Sequence, residues 1–105
     1  MRTAFAHEAI LTMDTAADLR APGGAVTIAL CGAWEHEPPC RWPHNNELGS
    51  SGEFRTLFIA PAGEEAEVRE RIAGALAVGP GWHVLRARAR DVLPGERELA
   101  ERLAN

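Results

Sequence analysis

Residues 31–44 (CGAWEHEPPCRWPH) contain the side chains of this chain that are best suited to bind a metal ion. The whole sequence has two cysteines and four histidines, and four of these six fall in this window: Cys31, His36, Cys40 and His44. Thiolate and imidazole are the ligands that four-coordinate zinc prefers, and thiolates also suit Cu(I). The clustering predicts a small metal-binding domain, with zinc as the expected metal and Cu(I) as an alternative.

The spacing ranks these ligands. Cys40 and His44 are four residues apart, so that one tight turn can present both, and Cys31 ends a predicted strand. Two prolines between His36 and Cys40 favour an extended path, which makes His36 the weakest of the four. His7 is the alternative fourth ligand, because a symmetric hairpin of the first two strands would place it opposite Cys31. A closed site of two cysteines and two histidines is typical of a structural rather than a catalytic metal.

Other interpretations of the same window stay open. Cys31 and Cys40 can form a disulfide, or can be ordinary buried or loop residues. Trp34 and Trp42 can anchor a protein partner, which would make the chain a metal-free interaction module, or they can fold back over the sheet edge. A small enzyme that uses a Cys40 thiolate or a metal-bound water is the third interpretation. A protein partner is expected, of unknown identity.

Composition sets the class of protein. A chain of 105 residues with 46% hydrophobic content is expected to form a single domain, residues 1–105, with its own core. The net charge of −4 predicts no general attraction to nucleic acid or to an anionic membrane. No apolar run resembles a signal peptide or a membrane span, so a cytoplasmic location is the default expectation. All basic residues are arginines, and a chain without lysine has no Schiff-base chemistry.

Hydrophobic periodicity predicts the elements that position these side chains. Alternating apolar residues indicate strands, and the four-residue spacing of Val68, Ile72 and Leu76 indicates a helix. A stretch rich in proline and glycine is predicted to be a long loop at about residues 35–52. The expected elements are strands 3–13, 25–34, 54–60 and 82–89 and helices 64–77 and about 95–103. The sequence therefore predicts an α+β fold, a mixed four-stranded sheet of order β-β-β-α-β-α with two helices packed on one face.

One further pattern lies outside the metal window. Arg86, Arg88 and Arg90 alternate along the last predicted strand and therefore share one face. Such a row can bind a phosphate or an acidic partner. A solvated sheet face, or a charged edge that prevents aggregation between strands, is the commoner reason for it.

Overall fold

The structure is a computed structural model that describes residues 2–32 and 41–105. The chain contains four strands and three helices in the described residues, and a short 3₁₀ turn precedes each of the last two helices. The elements are β1 (Arg2–Met13), α1 (Ala21–Cys31), β2 (His44–Leu48), β3 (Glu53–Pro61), α2 (Glu65–Ala77), β4 (Trp82–Arg90) and α3 (Arg97–Ala104). The predicted α+β class with four strands is confirmed.

The four strands form one antiparallel sheet in the order β2-β3-β1-β4. β1 pairs with both β3 and β4, and β2 pairs with β3. Each β-α-β unit therefore joins two strands that run in the same direction but are separated by a third. This is the split β-α-β arrangement of ferredoxin-like topologies. The prediction of a mixed sheet is wrong, because β1 lies between β3 and β4 and pairs antiparallel with both.

The second predicted strand, residues 25–34, is instead the helix α1. Val26 and Leu30 are buried one helical turn apart, whereas Ile28 between them is 52% exposed. The spacing of two residues between Val26, Ile28 and Leu30 fits a strand. Val26 and Leu30 are four residues apart and also fit a helix, so the spacing alone is ambiguous. Pro22 lies in the first turn of α1, where its missing N–H costs nothing. The predicted order β-β-β-α-β-α is therefore corrected to β-α-β-β-α-β-α.

The strand β2 lies within the segment that was predicted to be a loop. β2 covers residues 44–48 and pairs with β3 over its full length, with His44 opposite Phe58 and Leu48 opposite Phe54. Its sequence, HNNEL, has little strand propensity of its own. Pairing with the buried strand β3 therefore determines its conformation. The remaining predicted strands and the two predicted helices are confirmed to within a few residues.

The sheet carries helices on both faces. α1 and α2 pack together on one face over the core residues Ala9, Leu11, Phe54 and Phe58. The alternate residues of β3, Leu57 and Ile59, point the other way, where Ala100 of α3 covers them. The prediction placed the helices that correspond to α2 and α3 together on one face. In the structure α1 lies beside α2 on that face, and α3 lies on the opposite face. No helix within the described residues is long and apolar enough to cross a membrane.

The two edge strands of the sheet differ in how they are covered. β2 lies under α1, and most of its residues are partly buried. β4 is buried only at Trp82, whose indole N–H donates to the carbonyl of Leu76 at 2.9 Å. Every residue of β4 after Trp82 is exposed, so both faces of this strand are open to solvent. β4 is anchored at its start and is otherwise an uncovered edge.

Candidate functional site

A cleft of about 860 Å³ opens between α1 and the β2–β3 hairpin. Its size is within the range of small-molecule sites. The core face of the sheet contributes apolar side chains, and α1 and β2 contribute polar ones. The lining includes Leu11, Met13, Leu19, Arg20, Gly23, Gly24, Thr27, His44, Asn46, Leu48, Ser50, Ser51 and Phe54.

The hairpin register aims the polar side chains of β2 at α1. His44, Asn46 and Leu48 are opposite Phe58, Thr56 and Phe54, so they share the helix-bearing face of the sheet. The turn between the strands ends at Gly52, whose φ of +90° is in the left-handed region. A Cβ at Gly52 would collide with the carbonyl oxygen of Leu11. Glycine at this position is therefore what allows the hairpin to approach β1 and close the cleft.

A chain of hydrogen bonds connects the sheet to α1 along one wall of the cleft. The Thr56 hydroxyl donates to Asn46 Oδ1 at 2.7 Å. The Asn46 amide then donates to the Gly23 carbonyl at 3.2 Å and lies 3.5 Å from Thr27 Oγ1. Thr27 Oγ1 in turn lies 3.0 Å from His44 Nε2. These bonds fix the side-chain orientations of Thr27, His44 and Asn46, which we call the polar wall.

The partners of His44 define its tautomer. Nδ1 lies 3.1 Å from the carbonyl oxygen of Trp42, which can only accept, so Nδ1 carries the proton. When the ring is neutral, Nε2 then accepts from the Thr27 hydroxyl. The Thr27 hydroxyl and the Asn46 amide thus donate to partners within the polar wall, beside the apolar side chains of the sheet.

Charged side chains around the cleft are sparse. Arg20 is the one lining residue with a permanent charge among the described residues, and no carboxylate lines the cleft. The Arg20 side chain is 88% exposed and pairs with Asp18. The backbone N–H of Arg20, and then its guanidinium, donate to the Asp18 carboxylate and lower the pKa of that carboxyl. Gly23 and Gly24, in the first turn of α1, add the positive end of the helix dipole. The cleft therefore favours a neutral or negatively charged group over a cation.

The structure brings together two of the predicted ligands. Cys31 Sγ lies 3.7 Å from His44 Nδ1, because the end of α1 packs beside the start of β2. Cys31 is disulfide-bonded. The one other cysteine of the sequence, Cys40, and also His36 lie outside the described residues. A sulfur held in a disulfide is not a thiolate and therefore does not bind zinc as one.

The predicted metal-binding function is wrong for the described part of the chain. Within residues 2–32 and 41–105, no three or more His, Cys, Asp or Glu side chains come together in a group that could hold a metal ion. The hairpin register that placed His7 opposite Cys31 is also wrong, because Cys31 belongs to a helix. His7 pairs with Thr56 and Ala89 instead. The expected zinc or Cu(I) has no ligand set in the described part of the chain.

His7 has a different environment from the one predicted. It is 7% exposed on the core face of β1, and Arg69 Nη1 donates to its Nδ1 at 3.2 Å. Its Nε2 is buried and has no hydrogen-bond partner among the described atoms. Burial, followed by the positive charge of Arg69, lowers the pKa of His7 below its ordinary value. His7 is therefore a neutral core residue.

Trp42 folds back onto the domain, as one of the two interpretations expected. Its ring is 1% exposed, and its indole N–H donates to Glu64 Oε1 at 2.9 Å. The guanidinium carbons of Arg41 and Arg71 lie 4.2 Å and 4.9 Å from its ring centroid. Trp42 is a core residue and is not available to anchor a partner. Trp34, the other tryptophan of the window, lies outside the described residues.

Sequence reasoning missed Thr27 and Asn46. Neither side chain belongs to a motif, and their meeting depends on α1, which was predicted to be a strand. The one available signal was the pair Asn45-Asn46 directly after His44, three polar side chains in a row. No protein-family model, curated protein or solved structure matches this chain.

Proposed function

We propose that this domain binds a small organic molecule in the cleft between α1 and the β2–β3 hairpin. The ligand has an apolar body and a polar end that is neutral or negatively charged. The observation that carries the proposal is the meeting of an ordered polar wall with apolar sheet residues in one open cleft. Such a combination is typical of small-molecule sites.

The two sides of the cleft define complementary parts of the ligand. Met13, Leu19 and Leu48 line the cleft with side chains that are partly or largely exposed, and they offer an apolar surface that suits a ring or short hydrocarbon body. The polar wall is held by hydrogen bonds before any ligand arrives, so binding orders few side chains. Preorganisation of this kind increases affinity by reducing the entropy lost on binding.

A pair of matched probes tests the proposal. 2-Naphthoate carries an anionic acceptor on an aromatic body, and 2-naphthylmethylammonium carries a cation on the same body. At about −0.3 kcal/mol per non-hydrogen atom, a probe of this size has a dissociation constant of about 1 mM. We expect 2-naphthoate to bind at this level or more tightly and the cation to bind at least several-fold more weakly, as measured by NMR titration.

A matched pair of variants locates the binding. A Cβ at Gly23 would lie 3.5 Å from Asn46 Cβ, so Gly23→Leu places a side chain against the polar wall without a clash at Cβ. Gly74 lies in α2, where a Cβ would have nothing within 4 Å, and Gly74→Leu makes the same change away from the cleft. Both should stabilise their helices by up to about 1 kcal/mol. Only Gly23→Leu should abolish 2-naphthoate binding. Equal affinity in the two variants, or equal affinity for the two probes, would contradict the proposal.

A further inference from the structure

The open edge of β4 carries a row of three arginines. Arg86, Arg88 and Arg90 are opposite Ile10, Glu8 and Ala6, on the sheet face that also carries α3. Arg88 Nε lies 3.7 Å from Glu8 Oε1. Neither Arg86 nor Arg90 has an ion-pair partner in the part of the chain that the structure describes. Two guanidinium groups are thus free to meet acidic groups beside the strand.

The backbone of the same strand is also available. β4 is the last strand of the sheet, so it pairs with β1 on one side only. The pairing is regular from Arg86 to Arg90, and the bulge at Ile10/Leu11 lies before this part of β4. An exposed strand of this kind can accept a further strand through main-chain hydrogen bonds. Its second face presents the small side chains Ala87 and Ala89, which leave room for a neighbour.

The arginines decide which strand can pair there. In an antiparallel pair, directly opposed residues lie on the same face. A second copy of β4 aligned over this segment would therefore place arginine against arginine in every register, which is destabilising. An acidic residue at every second position of the added strand would instead lie beside Arg86, Arg88 and Arg90.

We propose that the β4 edge binds an extended segment of another protein in which acidic residues alternate with small or β-branched ones. The segment adds to the sheet as a fifth strand. Its main chain pairs with β4, and its carboxylates meet Arg86 and Arg90. The site is separate from the cleft, which lies at the β2–β3 hairpin, so the two proposals stand or fall independently.

A short synthetic peptide in which Glu and Val alternate is the probe, and fluorescence anisotropy is the measurement. A peptide with Lys in place of Glu is its charge control. We expect the Glu peptide to bind the wild-type protein and the Lys peptide not to bind. The double variant Arg86→Glu/Arg90→Glu leaves the Arg88–Glu8 pair intact. It should bind the Glu peptide about tenfold or more weakly than the wild type does, and it should bind the Lys peptide more tightly. An unchanged preference for the Glu peptide in this variant would overturn the proposal.

A second control separates strand addition from simple charge attraction. Main-chain groups of alternate residues point to opposite sides of a strand, so only one set in the peptide faces β4. Of two Glu peptides, one N-methylated at every Glu and one at every Val, at least one should lose binding. Two methylated peptides that both bind like the parent would overturn the proposal, and so would a short single-stranded oligothymidylate that binds more tightly than the Glu peptide.

Discussion

At the scale of single residues, His7 shows how the fold controls a titratable group. Burial and Arg69 lower its pKa, so the folded protein resists protonation of this ring more than the unfolded chain does. Below the unfolded pKa of about 6.5, the unfolded state binds the proton first, and stability falls as the pH decreases. The loss continues down to the folded pKa of His7, below which the contribution is constant.

The variant His7→Gln isolates this effect. It keeps a group that can accept from Arg69 but does not titrate. Wild-type stability, measured by urea denaturation between pH 7.5 and about 5, should fall by up to about 1.4 kcal/mol per pH unit more than that of the variant. The rest of the chain is the same in both proteins, so the difference reports on His7. Parallel pH profiles would show that His7 does not carry the predicted dependence.

The residue scale also shows what sequence clustering can and cannot predict. The window 31–44 correctly predicted that Cys31 and His44 lie close together. It did not predict the bonding of either side chain, because the sulfur of Cys31 is in a disulfide and both nitrogens of the His44 ring have protein partners. The Thr27 side chain gives no chemical signal in the sequence, and Asn46 gives only that of its polar neighbours, since threonine and asparagine are common at exposed sites.

At the scale of elements, Gly52 is the residue on which the cleft depends most. Its positive φ and its close approach to Leu11 exclude any other side chain without a backbone shift. The Gly52 carbonyl also accepts from the Leu11 N–H at 2.8 Å. Gly52→Ala should therefore lower the free energy of unfolding by about 1–3 kcal/mol. Gly63→Ala is the control, since nothing lies within 4 Å of a Cβ there, and it should change stability by less than about 0.5 kcal/mol.

Urea denaturation of the two variants makes this comparison. If Gly52→Ala is as stable as Gly63→Ala, the hairpin relaxes at no cost, and the close approach to β1 does not define the cleft.

Two elements explain where prediction from sequence succeeded and failed. The helix α2 was correctly predicted because Val68, Ile72 and Leu76 recur at helical spacing among polar residues, a pattern that no strand shares. In α1, apolar residues occupy positions that fit the period of a helix and that of a strand. Thr27 is the one polar side chain among its residues, so no polar face marks the helix. Only the burial of Val26 and Leu30 against α2 and the exposure of Ile28 decide between helix and strand. Such tertiary information is absent from a local pattern.

At the scale of the whole molecule, Cys31 at the end of α1 is disulfide-bonded. Native disulfides in small domains typically contribute about 2–5 kcal/mol. Reduction with a phosphine should therefore lower the melting temperature by roughly 10 °C or more. The variant Cys31→Ser should melt at the same temperature with and without reductant. A wild-type melt that does not respond to reductant, in protein whose thiols are shown to be reduced, would contradict a stabilising role.

The position of bound ligand tests the central claim most directly. The measurement is a ¹H–¹⁵N NMR titration of the wild-type protein with 2-naphthoate. We predict that the largest amide shifts fall on the cleft, at Gly23, Thr27, Asn46, Ser50 and Phe54, and that they saturate with one dissociation constant. Shifts that are absent at saturating probe, or that concentrate on the opposite side of the sheet at Ile59 and Ala100, would contradict the proposed small-molecule site.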